Sequence, residues 1–589
     1  MHRGPITSVL VSLDNKYVYT AGYDKCIYKW NRETGTNILL GKHRHLVNSI
    51  CLASNDTLLA SASSDYTINI YDTNTNQLVR TLYGHSDDVE SVSFAINNSL
   101  LVSTSRDKRC LVWDVQTGAI INEFNGHSKD VLSLWVYEDK AFTTGDDGRA
   151  LVWYLNDSRL YGEIGPFSCE LDTVSGNEKM GVFAIGADDG TVIIYDAISL
   201  EEKYSIKAHK QGVKRVSFSP SGRYLLTAGY DHLIRIWDYE TASLLKELPK
   251  YQYQWERSLT WTPDEKYILG ASFGKTYCEW SVDQEKLITS ETENELATPS
   301  INDIAVTDFG DIITASDDGR FRVNGKEIAS STKILTNGVG SSNDGKFIIW
   351  GDHSSNAHLL DTNQSKLVSI FLNTGPVNSV FFNNYDGYFY IGTYGGYIHV
   401  IDPIVSEEIT SWKAHNGAVK SLEADDKVIV SVSSEGSIKI FDQKNPSIAE
   451  EYFGPNAIIN DVALDSSRSR IVVVSRDKVV RIYDLKTGKI LGQHNVHRYS
   501  IKSVTITQEG FVVSGDYWGY CVIWNPENED ISEAIRVSSN GISALRSIKD
   551  SVFASSYDGA VYKIQSNNAI SEVLRLFEQS PSNDKLISM

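Results

Sequence analysis

The stretch YLLTAGYDHLIRIWD, from Tyr224 to Asp238, contains the pattern that decides the fold. An apolar run with small residues leads to a turn that carries Asp231, and an alternating strand then ends at Trp237. Closely similar stretches end at Asn31, Asp72 and Asp114, and further ones end near Asp196, Asp484 and Asn525. Because the spacing is about 42 residues, the chain is predicted to be an array of one repeated unit.

Fourteen closing strands of this kind can be counted along the chain. They end near Trp30, Tyr71, Trp113, Trp153, Tyr195, Trp237, Trp280, Asn324, Leu360, Ile401, Phe441, Tyr483, Trp524 and Ile564. The seventh, eighth and ninth are degenerate and are placed mainly by spacing. Short β-rich runs between Gly, Asn and Asp turns predict an all-β protein. Four-stranded units that stack radially form rings of about four to eight blades, so two seven-bladed β-propellers in tandem are expected.

The ends of the chain suggest how the two rings divide and close. We expect the first propeller to span residues 1–294, the second residues 295–577, and a flexible tail residues 578–589. The polar stretch 291–299 is typical of a linker. Because each half opens on an inner strand, its first blade is expected to lack an outer strand. Segments 286–289 and 569–574 are expected to supply those strands and so close the rings.

Composition favours a cytoplasmic protein. The chain has 55 Lys plus Arg against 75 Asp plus Glu, a formal charge of −20, which disfavours binding to nucleic acid or anionic membranes. No apolar run approaches the length of about 20 residues that a membrane span needs, and the N-terminus lacks the apolar core of a secretion signal. Six sparse cysteines are expected to be reduced thiols: Cys26, Cys51, Cys110, Cys169, Cys278 and Cys521.

Polar residues recur at fixed spacings within several of the repeats. Three repeats carry a His, then a Ser or Thr, then an Asp 22 residues after the His, and a Trp 6 residues after the Asp. These sets are His2, Thr20, Asp24 and Trp30; His85, Ser103, Asp107 and Trp113; and His209, Thr227, Asp231 and Trp237. Two further sets are close: His43, Ser61 and Asp65 with Tyr71, and His127, Thr143, Asp147 and Trp153 in a shorter repeat.

These residues resemble the WD-repeat (WD40) family. The resemblance implies that each set is a structural, hydrogen-bonded tetrad, and that partners bind the faces of the rings. The tandem arrangement is also similar to that of the actin-interacting protein 1-type double propellers. This second resemblance implies an alternative function, disassembly of actin filaments together with cofilin.

The catalytic sequence motifs that were sought do not favour an enzyme. The chain contains no HExxH, GxxxxGK[ST] or GxGxxG motif. The acidic pairs Asp146-Asp147 and Asp188-Asp189 fall at turns, where Asp is favoured for bonding to its own backbone. We therefore expect no catalytic, cofactor or metal site. A propeller enzyme or small-ligand binder is a remote alternative.

The predicted face of the first ring divides into acidic and aromatic arcs. Blades three to five contribute the carboxylates Asp88, Glu90, Asp130, Asp146, Glu170, Asp172 and Asp188, with Arg106 among them, and blade six contributes Lys214. Exposed aromatics are expected at Tyr230, Trp255, Phe273 and Tyr23. Clustered carboxylates favour a basic partner, and aromatics are typical anchors of interfaces. A basic peptide or loop is therefore the predicted ligand of this ring.

The corresponding positions of the second ring are aromatic and mildly basic. They include Tyr394, Lys420, Arg476, Lys502, Tyr517, Trp518 and Tyr557. Two unlike faces favour a non-enzymatic scaffold that bridges different proteins within a larger assembly.

Overall fold

The computed structural model describes residues 1–249, 256–288, 299–329, 334–455, 457–549, 551–565 and 569–576. These residues form fourteen antiparallel sheets, called blades 1 to 14 below. The chain divides into two compact units, Met1–Ala297 and Thr298–Met589. The boundary expected at 294–295, the linker and the tail lie outside the described residues. The predictions of all-β structure and fourteen repeats are confirmed.

Each blade of unit 1 consists of four strands that are consecutive in the chain, the first of them innermost. The strands are Ile6–Val11, Tyr17–Gly22, Cys26–Asn31 and Asn37–Lys42 in blade 1; Val47–Leu52, Leu58–Ser63, Thr67–Asp72 and Gln77–Tyr83 in blade 2; Val89–Ala95, Leu100–Ser105, Cys110–Asp114 and Ile120–Phe124 in blade 3; Val131–Tyr137, Lys140–Gly145, Ala150–Tyr154 and Leu160–Ile164 in blade 4; Leu171–Asn177, Val182–Ala187, Thr191–Asp196 and Glu202–Lys207 in blade 5; Val213–Phe218, Tyr224–Gly229, Ile234–Asp238 and Leu244–Leu248 in blade 6; and Ser258–Trp261, Tyr267–Ala271, Cys278–Ser281 and Lys286–Leu287 in blade 7.

Unit 2 repeats the same plan. Its strands are Ile301–Val306, Ile312–Ser316, Phe321–Val323 and Lys326–Ala329 in blade 8; Thr336–Ser341, Phe347–Asp352, Asn356–Asp361 and Lys366–Phe371 in blade 9; Val377–Asn383, Tyr388–Thr393, Tyr397–Asp402 and Glu407–Lys413 in blade 10; Val419–Ala424, Val428–Ser433, Ser437–Asp442 and Asn445–Phe453 in blade 11; Ile459–Asp465, Arg470–Ser475, Val480–Asp484 and Ile490–His494 in blade 12; Ile501–Ile506, Val512–Asp516, Tyr520–Asn525, Asp530–Ile531 and Ile535–Arg536 in blade 13; and Ile542–Ile548, Ser551–Ser556, Ala560–Gln565 and Ile570–Arg575 in blade 14. A single turn of 3₁₀ helix, Ser466–Arg468, lies in blade 12.

The hydrophobic core of each unit lies between neighbouring blades. The second strand of a blade is buried almost throughout, whereas the outermost strand is largely exposed, as in Leu100–Ser105 and Ile120–Phe124 of blade 3. Between blades 2 and 3, for example, Ile68 and Leu82 pack against Trp113. A four-stranded sheet covered on both faces by its neighbours leaves only short edges at the rim.

Side chains of the innermost strands also join one blade to the next. The hydroxyl oxygen of Ser8 accepts the backbone N–H of Ile50 at 3.3 Å, and that of Ser133 accepts the N–H of Val174 at 3.1 Å. The same position in unit 2 places Ser503 against the N–H of Leu545 at 2.9 Å. Each bond joins the innermost strand of one blade to the innermost strand of the next.

Unit 1 closes by packing blade 7 against blade 1. The N–H of Ile6 donates to the carbonyl of Ser272 at 2.7 Å, and the N–H of Val9 donates to the Ser258 hydroxyl oxygen at 3.2 Å. Ile6 and Val9 share a buried cluster with Leu269. At the rim, Arg32 of blade 1 pairs with Glu279 of blade 7 at 2.5 Å.

Unit 2 closes in the same way, between blades 14 and 8. Ile301 and Ile304 pack against Ala544 and Val561. The Arg546 guanidinium lies 2.7 Å from the Asp303 carboxylate.

The predicted mechanism of ring closure was wrong. Blade 1 has its own outer strand, Asn37–Lys42, which follows its third strand in the chain. Lys286–Leu287 completes blade 7 by pairing with its third strand, and Ile570–Arg575 completes blade 14. Each ring is therefore closed by side-chain packing and hydrogen bonds, and within the described residues no strand is exchanged between its first and last blades.

Polar tetrads occur in blades 1, 3 and 6 with one common geometry. In blade 6 the indole N–H of Trp237 donates to the Thr227 oxygen at 3.0 Å, and that hydroxyl lies 2.9 Å from Nε2 of His209. The other ring nitrogen, Nδ1, lies 2.7 Å from Asp231. Burial alone would raise the pKa of Asp231, but the hydrogen bond and positive charge of His209 lower it to about 2. The chain of bonds ties the turn to the second and third strands.

The two near-tetrads lack the last bond. In blade 2, His43 contacts Ser61 and Asp65 at 2.8 and 3.0 Å, but Tyr71 accepts a bond from Asn69 instead. In blade 4 the Trp153 indole N–H has no hydrogen-bond partner.

A further polar set in unit 2 was missed by the sequence analysis. His497 lies 2.8 Å from Ser514 and 3.0 Å from Asp516 in blade 13. Its shorter spacing, 19 residues from His to Asp, hides it from a search that fixes the interval at 22.

Replacement of His209 by Ala tests the contribution of one tetrad. We expect it to lower the free energy of unfolding of unit 1 by about 1–3 kcal/mol, because Thr227 and Asp231 lose their buried partner. Urea unfolding followed by tryptophan fluorescence measures the change. Lys210→Ala, at the exposed neighbouring residue, is the matched control. Equal stability of the two variants would contradict the prediction.

Candidate functional site: two unlike blade-end faces

One backbone hydrogen bond recurs at the same end of every blade for which both partners are described. The residue in the turn between the second and third strands donates its N–H to the carbonyl of the residue just before the innermost strand. The donor is here named the turn position and the acceptor the start position. In thirteen blades the bond is 2.8–3.2 Å long, from Tyr23 to Pro5 in blade 1 through Tyr557 to Gly541 in blade 14. In blade 7 the start position lies outside the described residues.

In each blade this bond brings together the side chains of three positions. They are the start position, the turn position and the residue two after the start position, which is here named the inner position. In unit 1 the start positions are Pro5, Leu46, Asp88, Asp130, Glu170 and Gly212; the turn positions are Tyr23, Ser64, Arg106, Asp146, Asp188, Tyr230 and Phe273; and the inner positions are Thr7, Asn48, Glu90, Leu132, Asp172, Lys214 and Arg257. We call these residues face 1.

The same positions of unit 2 form face 2. Its start positions are Ser300, Leu335, Pro376, Ala418, Ile458, Ser500 and Gly541; its turn positions are Asp317, His353, Tyr394, Ser434, Arg476, Tyr517 and Tyr557; and its inner positions are Asn302, Asn337, Asn378, Lys420, Asn460, Lys502 and Ser543. The candidate residues of the sequence analysis therefore lie on these faces, apart from Trp255, which is outside the described residues, and Trp518, which directly follows a turn position.

Arg106 is surrounded by carboxylates on face 1. Its guanidinium is hydrogen-bonded to Glu90 and lies 3.7 Å from Asp88 and 4.0 Å from Asp130. Desolvation, opposed by the attraction of Arg106 and reinforced by repulsion from Asp87 and Glu90, raises the pKa of Asp88 to about 7. Arg106 thus neutralises only part of the charge of the carboxylates around it, and the cluster keeps a net negative charge.

A second acidic group lies on blades 5 and 6. Lys214 pairs with Asp172 at 3.1 Å and lies over the Tyr230 ring, 5.7 Å from its centroid. Asp188 is exposed. Desolvation and repulsion from Asp172 and Glu170 raise the pKa of Asp188 well above its ordinary value.

The predicted aromatic arc of face 1 is only partly exposed. The Arg257 guanidinium lies over both the Tyr23 and Phe273 rings, 4.7 and 4.9 Å from their centroids, and donates to the Tyr23 hydroxyl at 3.0 Å. Phe273 is 2% exposed. The expectation of an exposed side chain at Phe273 was wrong because Arg257 covers it.

Face 2 is rich in stacked aromatic rings. Tyr499 stacks on Trp518 with centroids 4.3 Å apart and planes 10° apart. Tyr517 and Tyr557, turn positions of adjacent blades, are nearly parallel with centroids 6.2 Å apart. Lys420 lies 5.6 Å from the centroid of the Tyr394 ring.

Neither face shows a constellation typical of a metal centre. Within the described part of the chain, no group of three or more His, Cys, Asp or Glu residues could hold a metal ion. In the same residues, no helix is long and apolar enough to cross a bilayer.

Comparison with known proteins assigns the repeats. A family model described as WD domain, G-beta repeat matches residues 1–31, 36–72, 76–114, 118–154, 200–238, 406–442 and 448–484. The matched segments end at or near the ends of third strands, and those after the first also take in the outer strand of the preceding blade.

The chain is a WD-repeat protein.

Its relatives resemble it at low identity. The angio-associated migratory cell protein of Homo sapiens is 21% identical over 345 residues, which cover 54% of this chain and 78% of the relative. An uncharacterised WD repeat-containing protein of Schizosaccharomyces pombe is 30% identical over 131 residues, covering 22% of this chain and 32% of the relative. Actin-interacting protein 1 of Drosophila melanogaster is 21% identical over 160 residues, 26% of each chain.

Glu256 departs from the WD-repeat pattern at the edge of face 1. It begins the inner strand region of blade 7 at the position where other blades place apolar residues such as Val213 and Ile6. It is 5% exposed, and its Oε2 has no hydrogen-bond partner. Gly270 stands where blade 6 has the tetrad residue Thr227, and the Glu256 carboxyl lies in the space that a β-carbon there would meet. Burial raises the pKa of Glu256 to about 8.

Glu256 predicts a pH dependence of the stability of this WD-repeat chain. Because its pKa is higher in the folded state than the ordinary value of 4.5, the unfolded chain ionises first as pH rises. The contribution of Glu256 should therefore fall between about pH 4.5 and pH 8 and then level off. Replacement of Glu256 by Gln should remove that fall.

Thermal unfolding of both proteins across this pH range measures the effect. The wild-type melting temperature should decline relative to Glu256→Gln, whereas Glu201→Gln, at an exposed residue, should follow the wild type. A constant difference between Glu256→Gln and the wild type at every pH would be incompatible with a buried, titrating carboxyl.

Proposed function

We propose that this WD-repeat protein is a non-enzymatic scaffold that bridges two kinds of partner, with a basic polypeptide segment bound at face 1. WD40 repeats generally serve as platforms for protein interaction. The observation that supports the finer proposal is the contrast between faces 1 and 2, which occupy equivalent positions and differ in charge.

The charge of face 1 favours a cationic ligand. Its described positions carry seven carboxylates and only three cations. Desolvation, with repulsion from neighbouring carboxylates as a further contribution, raises the pKa values of Asp88 and Asp188. An arriving Lys or Arg side chain would relieve this repulsion and restore the ionised form of the carboxyl groups.

Binding of a short peptide of alternating Lys and Gly to the full chain tests face 1. Fluorescence polarisation should show binding that weakens with added salt and strengthens from about pH 6 to pH 8, because Asp88, with a pKa of about 7, loses its proton as the cation binds. Glu170→Gln with Asp188→Asn should reduce affinity about fivefold or more.

The control variant makes the same change of charge at residues that lie away from face 1. Glu201→Gln with Glu202→Gln alters exposed residues at the outer edge of the same blade and should leave affinity unchanged. Equal losses in the two double variants would show a general effect of net charge, and the assignment of face 1 would then fail.

Bridging is tested with full-length variants of each face. Affinity purification with the Glu170→Gln and Asp188→Asn variant, and separately with a Tyr517→Ala and Tyr557→Ala variant, should lose different bound proteins. Loss of the same set from both would contradict two independent faces.

Disassembly of actin filaments together with cofilin is the alternative function. It is favoured by the tandem seven-bladed units and by the match to actin-interacting protein 1 over 26% of the chain. Co-sedimentation with actin filaments, with and without cofilin, discriminates between the two functions. Cofilin-dependent loss of filaments from the pellet would favour the alternative, and an unchanged pellet would favour the general scaffold.

A further inference from the structure

We infer that face 2 binds an acidic polypeptide segment, along the arc formed by blades 11 to 14. The inference rests on the proposed scaffold function and names the partner chemistry of its second face. The binding residues would be Lys420, Arg476 and Lys502 together with the aromatic rings of blades 13 and 14.

Equivalent positions in the two units give face 2 the opposite charge. Where face 1 has seven carboxylates, face 2 has one, Asp317 of blade 8, and it has three cations, Lys420, Arg476 and Lys502. At the inner position, Glu90 and Asp172 of unit 1 are replaced by the neutral residues Asn378 and Asn460 of unit 2, and Leu132 is replaced by Lys420. Lys214 and Lys502 are equivalent lysines. The start positions of face 2 contain no charged residue. Arg498, two residues before the start position of blade 13, is exposed and adds to the positive charge.

Other carboxylates near this arc are held by internal bonds. Asp516 accepts bonds from His497 at 3.0 Å and from the backbone N–H groups of Trp518 and Tyr520 at 2.9 Å. In blade 14, Asp558 accepts bonds from the hydroxyls of Ser538 and Tyr562 at 2.7 and 2.6 Å.

Blades 11 and 12 hold their carboxylates in the same manner. Asp477 pairs with Arg481 at 2.6 Å. Glu435 accepts a bond from the Ser437 hydroxyl at 3.0 Å, and its hydrogen bond with His415 lowers its pKa to about 2. Each of these carboxylates thus has a partner in or next to its own blade.

The rings supply apolar contact beside the cations. Tyr499, Trp518, Tyr517 and Tyr557 are half-buried, so each presents part of a ring at the surface. The guanidinium of Arg536 lies 5.7 Å from the centroid of the Tyr520 ring and extends this mixed surface. Rigid aromatic side chains gain contact area at low entropic cost, and adjacent cations select carboxylates. An acidic segment that also carries apolar residues fits both features.

The test uses the full chain and a labelled peptide of Glu and Asp with one central Phe. We expect salt-sensitive binding, and Lys420→Glu with Lys502→Glu should weaken it about tenfold or more. Lys444→Glu with Lys486→Glu makes the same charge change at exposed turns between third and outer strands of blades 11 and 12, and should leave affinity unchanged. Trp518→Ala should weaken the Phe-containing peptide more than the same peptide with Ala in place of Phe.

Three outcomes would overturn the inference: no binding, equal losses in the two double variants, or tighter binding of single-stranded polyuridylate than of the acidic peptide. The Lys-Gly peptide is measured in parallel with the same variants. If the unmutated chain binds the Lys-Gly peptide but not the acidic peptide, the face 2 assignment alone fails. If it binds the acidic peptide but not the Lys-Gly peptide, the proposal for face 1 alone fails.

Discussion

The hydrogen bond between the turn and start positions is the constraint on which the candidate surfaces depend. It joins two backbone groups, so it can recur whatever side chains stand at its ends. Asp146 and Asp130, Tyr230 and Gly212, and Arg476 and Ile458 all form it at 2.9–3.0 Å. A buried backbone donor and acceptor must be paired, and here the pairing also fixes where the neighbouring side chains project. The faces can therefore vary in charge while their framework stays constant.

The hydrogen bonds between blades are accepted by side chains, so they depend on which residue stands at each position. Ser8, Ser133 and Ser258 in unit 1 bind backbone N–H groups of the next blade through a hydroxyl. At the same position unit 2 has Ser503 in blade 13 but the carboxylates Asp303 and Asp461 in blades 8 and 12. A carboxylate accepts the same bond but brings a charge into the interior. Arg546 balances that charge by lying 2.7 Å from Asp303. In both units a side chain accepts the backbone N–H of the next blade, but in unit 2 some of these acceptors carry a charge.

The sequence predicted the repeat and the blade count well because both depend on periodic burial. Tetrad residues such as His85, Ser103 and Trp113 could be located by their spacing, and the resemblance to the WD-repeat family implied their hydrogen-bonded role. Ring closure could not be, because a repeat pattern does not say where one blade ends: the family matches begin with the outer strand of the preceding blade. The coverage of Phe273 by Arg257 was equally hidden, since it depends on a contact within a blade whose pattern is degenerate.

Glu256 shows how the loss of a tetrad and the placement of a charge are connected. A tetrad needs a hydroxyl on the second strand, and blade 7 has Gly270 there. The missing side chain leaves a space that the Glu256 carboxyl occupies, and the Trp280 indole donates instead to the carbonyl of Pro249 at 3.0 Å. Burial in that space raises the pKa of the Glu256 carboxyl to about 8, which favours its protonated form at neutral pH. The blade thus stays folded around a neutral Glu256, while the charged residues of face 1, beginning with the adjacent Arg257, remain at the surface where a partner can reach them.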